Sequence, residues 1–432
     1  MVEEKFDVIV VGAGPAGTAA ALTAARAGLD VVVVERGDYP GAKNVMGGVL
    51  YADMMSSLIP EFWKNAPLER RIIEQRYFLV HGDSAVSAGY RNPHYADDPP
   101  NNFTVLRAKF DKWFAEQAEA AGAFIITETV ARELIRENGK VVGIRTDRED
   151  GDLFADVVII ADGVNSLLAK QAGFHPEWKP EQVALAVKEI VALPKEVIED
   201  RFNIDAGQGV TYEFFGQVTR GMVGNAFVYT NSESLSVGLG VMLSDLVKSG
   251  LHPYDLLDEF KNHPVVAPLV KDGETKEYMA HLIPEGGADA MPPLYGNGFM
   301  ICGDAAQMVN ALTREGSNMA MESGRIAGEV AKLAKERNDF SVNTLGEYQR
   351  RLEKSFVLQD LHQFRHTTRY LEQHSQFLSL YPELADMALH EFFLVDGASK
   401  REKIRRIMDR VKAKRSLWRI GRDFYGLYKT LK

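Results

Sequence analysis

Residues 6–36 read FDVIVVGAGPAGTAAALTAARAGLDVVVVER, and this stretch decides the fold class. The apolar run 8–11 is sized for a buried parallel strand, the small-residue segment after it for a closely packed helix, and LDVVVVE at 29–35 for a second strand. Gly12 permits a tight turn, Gly14 lets the backbone approach a pyrophosphate, and Gly17 lets the helix lie against the strand. A phosphate is thereby directed to the helix N-terminus. Glu35, closing the second strand, is placed to bind a ribose 2′-hydroxyl. Glycines alone would be compatible with a structural turn. With two strands, a helix and the acid in register, the loop Gly12, Ala13, Gly14, Pro15, Ala16 and Gly17 reads as a dinucleotide site.

Composition bounds the rest. At 432 residues the chain is long enough for about two or three packed units. Hydrophobic residues make up 46% and charged ones 25%, the balance of a folded globular protein. A formal charge of −10 argues against a nucleic-acid binder. The longest apolar runs, such as VVIIA at 157–161, are strand-sized and far from the roughly 18 residues of a spanning helix. The opening MVEEKFD carries acids and runs directly into strand pattern, so it reads as neither a secretory signal nor a transit peptide, and a cytoplasmic chain is expected. The single cysteine, Cys302, excludes an internal disulfide and an iron–sulfur cluster held by this chain alone. It stands among apolar residues in MICGDAAQMV (300–309) and is expected to pack beneath the cofactor. His362 and His366, four apart in HQFRH, have no third ligand fixed beside them and read as a helix face rather than a metal site.

Distant segments decide between NAD and the longer FAD. TVLRAKFDKWFAEQAEAAGAF (104–124) sets Arg107 just before an amphipathic helix. KVVGIRTDREDGDLFADVVIIADG (140–163) reads as a hairpin-like pair and then an apolar strand ending at Asp162 and Gly163. Residues 296–331 give a short strand, the turn Gly303-Asp304, a loop, and a helix beginning near Gly316. Asp304 at the strand end is placed to accept from ribityl hydroxyls, and the N–H groups near Ser317 and Asn318 to face the flavin pyrimidine. No second GxGxxG follows a strand, so no separate nicotinamide domain is expected. No acid/base pair, nucleophile or C-x-x-C accompanies the flavin motifs, and no catalytic side chain is assigned, because the redox chemistry belongs to the flavin.

The helical crossover pattern stops between Phe174 and Pro293. ALAVKEIVAL, GVTYEFFG, GMVGNAFVYTN and SLSVGLGVML read as strands of an inserted antiparallel sheet over the isoalloxazine side of the cofactor. HLIPEGGADAMPPLY (281–295) reads as a pocket wall or an ordinary buried loop. The expected domains are therefore 1–173 and 294–335 for the cofactor, 174–293 for the substrate, and 336–432 as a C-terminal helical region. From residue 400 onward there are thirteen Lys and Arg against three acids, interleaved with Trp418, Phe424, Tyr425 and Tyr428. That tail is either a basic helix packed on the acidic body, an anchor on an anionic membrane at about 1 kcal/mol per cation, or a dock for an acidic partner.

The order DxxVxGxGPAG, ER, GG, RxxxD, a DG strand end, GDAA and GxN opening a helix resembles the glutathione-reductase-type flavoproteins of the p-hydroxybenzoate hydroxylase and geranylgeranyl reductase branch. YPGAKNVMGGVLY, VKEIVALPKEVIEDRFNI and AHLIPEGG more specifically resemble the FixC proteins, relatives of electron-transfer-flavoprotein:quinone oxidoreductase, from about residue 5 to past 425. The resemblance implies an α/β fold: a glutathione-reductase-type Rossmann FAD-binding domain, an inserted antiparallel-sheet substrate domain and a C-terminal helical region. It implies FAD contacts from Gly12, Gly14, Gly17, Glu35, Arg36, Gly47, Gly48, Arg107, Asp304, Gly316 and Asn318. Its implied activity is passage of electrons from an electron-transfer flavoprotein to a membrane quinone within a larger assembly, with any iron–sulfur cluster on a separate ferredoxin-like subunit and peripheral membrane contact through the tail. A geranylgeranyl-reductase-like or hydroxylase-like enzyme with a nicotinamide donor is one alternative, and a subunit whose FAD is structural and whose surfaces only organise the complex is another. Two departures are visible: Ala169 stands where the hydroxylases place an arginine, and Gln307 interrupts the usual GDAAG.

Overall fold

The apolar run at the N-terminus forms β1, Lys5–Val11, which is followed by helix α1, Pro15–Arg26, and strand β2, Val31–Val34. β1 pairs in parallel with β2 on one side, Val8 opposite Val31, and with Asp152–Ile160 on the other, Val8 opposite Val157. Phe124–Ile126 extends the β2 side and Phe299–Ile301 the other, both parallel. Tyr295–Gly296 closes one edge antiparallel, and the hairpin Ala131–Glu137/Lys140–Thr146 attaches to Asp152–Ile160. Residues 31–34 and 157–160 are buried without alternation, as a parallel sheet covered on both faces requires. The chain leaves β1 toward β2 and returns on the opposite side, so the strand order reverses at the carboxyl end of β1. That is where ligands bind in open α/β sheets.

The computed structural model describes residues 5–43 and 48–432. It divides into two units, one of residues 1–71, 95–183 and 281–362 and the other of 72–94, 184–280 and 363–432. In the first, the long helix Ser317–Arg337 lies directly on α1. Glycines permit that approach: a Cβ on Gly324 would sit 2.0 Å from the Ala16 carbonyl oxygen, and one on Gly328 2.7 Å from that of Ala20.

The second unit holds an antiparallel sheet in the order Glu274–Pro284, Val183–Ala192, Ser234–Met242, Gly224–Thr230, Gln208–Gly216, Arg70–His81, with Ser84–Arg91 paired to the last. The helices Thr367–Gln373, Leu380–Phe393, Lys400–Lys414 and Leu417–Leu431 belong to it as well. The last is fixed by Asp423, 2% exposed, which accepts from Tyr381 Oη at 2.7 Å and Gln376 Nε2 at 3.2 Å and pairs with Arg415. Among the described residues, no helix is long and apolar enough to cross a membrane.

Candidate cofactor site

Four loops leave the carboxyl ends of adjacent strands in the first unit. The first carries Gly12 at φ +99°, and a Cβ there would fall 2.3 Å from the Ala161 carbonyl oxygen, so neither the turn nor the neighbouring loop admits a side chain. Gly14 is the N-cap of α1, Pro15 opens the helix, and Ala16 and Gly17 complete its first turn. No side chain caps this end and no acid stands in the first turn, which leaves its amides and dipole for an anion. Gly17 packs onto the turn itself, where a Cβ would lie 1.8 Å from the Gly12 oxygen.

Glu35 follows β2 and accepts from Ala13 N at 2.8 Å and Gly37 N at 2.6 Å, which ties the second loop to the first. Arg36 beside it is exposed. Gly48 is buried and its carbonyl accepts from Val105 N at 2.9 Å; Gly47 lies outside the described residues.

Arg107 opens the helix Arg107–Ala120 rather than preceding it, because the chain turns helical directly after Leu106. Burial would depress its guanidinium, but the Asp111 carboxylate at 2.7 and 2.8 Å, with Asp304 further off, raises it above the ordinary value. Its Nη1 also reaches Ser317 Oγ at 3.5 Å. Asp304 belongs to the turn Gly303–Ala306; burial pushes its carboxyl up to about 6, opposed by Arg107. Gly303, at φ +65°, brings this turn against α1, where a Cβ would meet the Ala16 methyl at 2.8 Å. Gly316 caps Ser317–Arg337, again with no side-chain cap and no acid in the first turn. Asn318 donates to Glu315 Oε2 at 2.9 Å and leaves its own Oδ1 buried and unpartnered.

The structure thus gathers the N-terminal glycine loop, Glu35, Arg107, the Gly303-Asp304 turn and the second uncapped helix N-terminus within one unit. Two uncapped helix N-termini, with the Gly303-Asp304 turn held against Ala16 of the first, fit a dinucleotide. Two further residues had weaker sequence signals. Asp162 is pushed up to about 6 by burial, against its hydrogen bond from Leu168 N at 2.9 Å and the charges of Arg36 and Lys170, and its Oδ1 is buried without a partner. Its signal was the DG strand end. His281 is depressed, by burial first and then by Arg36 and Arg107, and its signal was AHLIPEGG.

Cys302 is wholly buried directly after Phe299–Ile301, with Sγ 3.8 Å from the Ile160 oxygen, and burial raises its thiol far above the reactive range. His362 lies in Phe356–Phe364 and His366 precedes Thr367–Gln373, so the pair does not share one helix. Among the described residues, no three His, Cys, Asp or Glu side chains are grouped to hold a metal.

Comparison with known proteins agrees with this geometry. Residues 7–184 match the family of FAD-dependent oxidoreductases, and residues 367–432 match the ETF-QO/FixC family C-terminal domain. The chain is 50% identical over 406 residues to protein FixC of Bradyrhizobium diazoefficiens, covering 93% of each. It is 45% identical over 429 residues to FixC of Azotobacter vinelandii, covering 99% of each. A probable electron transfer flavoprotein-quinone oxidoreductase of Escherichia coli, YdiS, is 41% identical over 95% of this chain and 96% of its own length. Among solved structures, a geranylgeranyl bacteriochlorophyll reductase-like protein from Thermoplasma acidophilum shares the fold, with a TM-score of 0.74 at 22% identity over 98% of this chain and all of the other. The two-helix dinucleotide cradle and these near-full-length matches together place the chain in the FixC family of FAD-dependent oxidoreductases.

Proposed function

We propose that this protein takes electrons from a partner electron-transfer flavoprotein and delivers them to a quinone. The observation that carries this reading is the match along nearly the whole chain to FixC proteins and to a relative named for that reaction, C-terminal family domain included. FAD, when bound, supplies the two-electron redox chemistry. The chain's own part is to hold it: Gly12, Ala13, Gly14, Pro15, Ala16 and Gly17 receive the pyrophosphate at α1; Glu35 and Arg36 address the adenosine end; Gly47, Gly48 and Arg107 fix the middle; Gly303 and Asp304 hold the ribityl hydroxyls; and the amides at Gly316, Ser317 and Asn318 attract negative charge on the ring. Arg107, already committed to Asp111 and within reach of Ser317 Oγ, orients both flanking elements.

The single cysteine has a thiol that burial keeps protonated, so no dithiol on this chain relays the electrons. Any iron–sulfur cluster in the assembly belongs to a separate ferredoxin-like subunit. The basic C-terminal helices give the chain a peripheral contact with the quinone-bearing membrane. Support comes from the exposure of Trp418, Tyr425 and Tyr428, at 71%, 59% and 57%, beside Arg419, Arg422 and Lys429. The decisive measurement is anaerobic: mix the FAD-loaded protein with reduced electron-transfer flavoprotein, then with a menaquinone or ubiquinone analogue, and follow flavin absorbance. Bleaching in the first step and recovery in the second are expected. Absence of bleaching with the flavoprotein, together with rapid bleaching by NADPH, would overturn the reading in favour of a reductase- or hydroxylase-like enzyme.

A further inference from the structure

The loop after Asp152–Ile160 holds a side-chain cluster that cofactor binding as described does not use. Ser166 is wholly buried in the left-handed region, φ 43° and ψ 43°, a conformation that non-glycine residues disfavour. Around it Trp178 donates Nε1–H to the Val164 oxygen at 2.7 Å, and the His175 ring stacks on Trp178 with centroids 3.8 Å apart and planes 11° off parallel. His175 Nδ1 lies 2.6 Å from the Pro176 carbonyl oxygen. A carbonyl only accepts, so Nδ1 carries a proton and, in the neutral ring, Nε2 is an acceptor. Nε2 is 3.0 Å from Ser166 Oγ, and the same Oγ is 3.4 Å from the carbonyl oxygen of Ala305, the residue after Asp304. One hydroxyl hydrogen cannot serve both acceptors.

We propose that Ser166 is a proton-switched positioning residue for the turn Gly303–Ala306 that presents Asp304 to FAD. With His175 neutral, the hydroxyl hydrogen is committed to Nε2. When a solvent proton binds Nε2, that N–H donates to Ser166 Oγ, and the hydroxyl hydrogen rotates about Cβ–Oγ to the Ala305 carbonyl. No electron moves, and the only species taken up is the proton. The other side of the turn is anchored at every pH, because Ser323 Oγ accepts from Gly303 N at 3.0 Å and donates to the Ala320 oxygen at 2.9 Å. The Ser166 anchor is the conditional one.

The charged groups facing His175 are Lys170 and Glu177, themselves ion-paired at 2.7 Å. Burial depresses the imidazole against the Pro176 carbonyl, Lys170 depresses it further, and Glu177 opposes, with a net downward shift. The switch therefore operates on the acid side of the usual histidine range.

The test is FAD titration of the flavin-free protein by fluorescence quenching, from about pH 5 to pH 8, for the parent, Ser166→Ala and His175→Phe. His175→Phe keeps the stack on Trp178 and removes the competing acceptor, so it binds FAD at every pH as tightly as the parent does at its acid limit. Ser166→Ala matches the parent at pH 8 and binds roughly fivefold more weakly at the acid limit, the loss of one hydrogen bond. Asp162 and Asp304 titrate in all three proteins, so the quantity read is the difference between profiles. Ser166→Gly removes the hydroxyl while relieving the backbone, and must reproduce Ser166→Ala. Three parallel profiles, or a glycine variant that binds like the parent at pH 5, would overturn the proposal.

Discussion

Gly12 shows how little freedom single positions have at this site. A methyl there meets the Ala161 carbonyl at 2.3 Å in a backbone conformation that L residues avoid, so Gly12→Ala is expected to yield protein purified without flavin, read from the flavin absorbance per chain. Asp304, proposed above to hold the ribityl hydroxyls, illustrates the opposite demand, a carboxylate whose burial costs folding. Its carboxyl titrates near 6 in the folded chain against an ordinary 3.8, so the protonated form is the one folding favours. The stability it contributes is complete below about pH 4 and is lost as the pH rises through 6. Flavin-free Asp304→Asn is therefore predicted to resist urea better than the parent at pH 8, by up to about 3 kcal/mol, and to show no advantage at pH 4. It will bind FAD more weakly throughout; equal urea midpoints at pH 8 would refute the burial argument. Asp304 and the glycine loop were legible in the sequence because strand, turn and helix leave a local pattern. Asp162 was visible only as half of a DG pair, and Ser166 and His175 not at all, since their pairing is created by a left-handed residue and a ring stack that no spacing encodes.

At the scale of elements, the cofactor site depends on two helices meeting. Gly324→Val places side-chain atoms where the Ala16 carbonyl oxygen lies 2.0 Å from the Cβ, and must push Ser317–Arg337 off α1. A loss of about 1–3 kcal/mol in thermal or urea unfolding is expected, accompanied by loss of flavin because both uncapped N-termini move. In the second unit, Asp423→Leu strips Tyr381, Gln376 and Arg415 of their common partner. Limited proteolysis should then cut within residues 415–432 much faster, with flavin content unchanged. The parallel strands and the four antiparallel strands between 183 and 242 could be read from apolar runs and β-branched content. The hairpin Arg70–His81/Ser84–Arg91 could not. Its first strand, RRIIEQRYFLVH, mixes charged and apolar residues without a clean alternation, and Glu74 is 2% exposed because Arg76 and Arg91 both reach it at 2.5 Å. Ion pairing lets an acid stand on the strand face that Ile72, Phe78 and Val80 bury.

On the scale of the whole chain, the tail's charge is partly spent internally. Lys403, Arg406, Arg410, Lys414 and Arg415 pair with Asp396, Glu391, Glu383 and Asp423, and Lys403 holds Asp396 at about 2. Part of the basic surplus is thus neutralised by the preceding helix Leu380–Phe393 and the segment after it, and by Asp423 within the tail itself. Arg419 and Arg422 stay on the exposed aromatic helix. Reversing both to Glu is predicted to weaken sedimentation with phosphatidylglycerol vesicles at least tenfold, at about 1 kcal/mol per cation, and the parent's binding should fall as salt rises. Unchanged vesicle binding in the variant would point the tail at a protein partner instead. The first unit's division into three separated stretches has a temporal consequence. During translation at about 5–20 residues per second, Gly12 waits on the order of 15 to 60 s before Asn318 has been made. For that interval the nascent chain has the glycine loop without the Gly303–Ala306 turn or the Ser317–Arg337 helix that press against Ala16 at the start of α1. Flavin capture is thus a late step in biogenesis, and ribosome-bound chains arrested before residue 300 should retain no FAD.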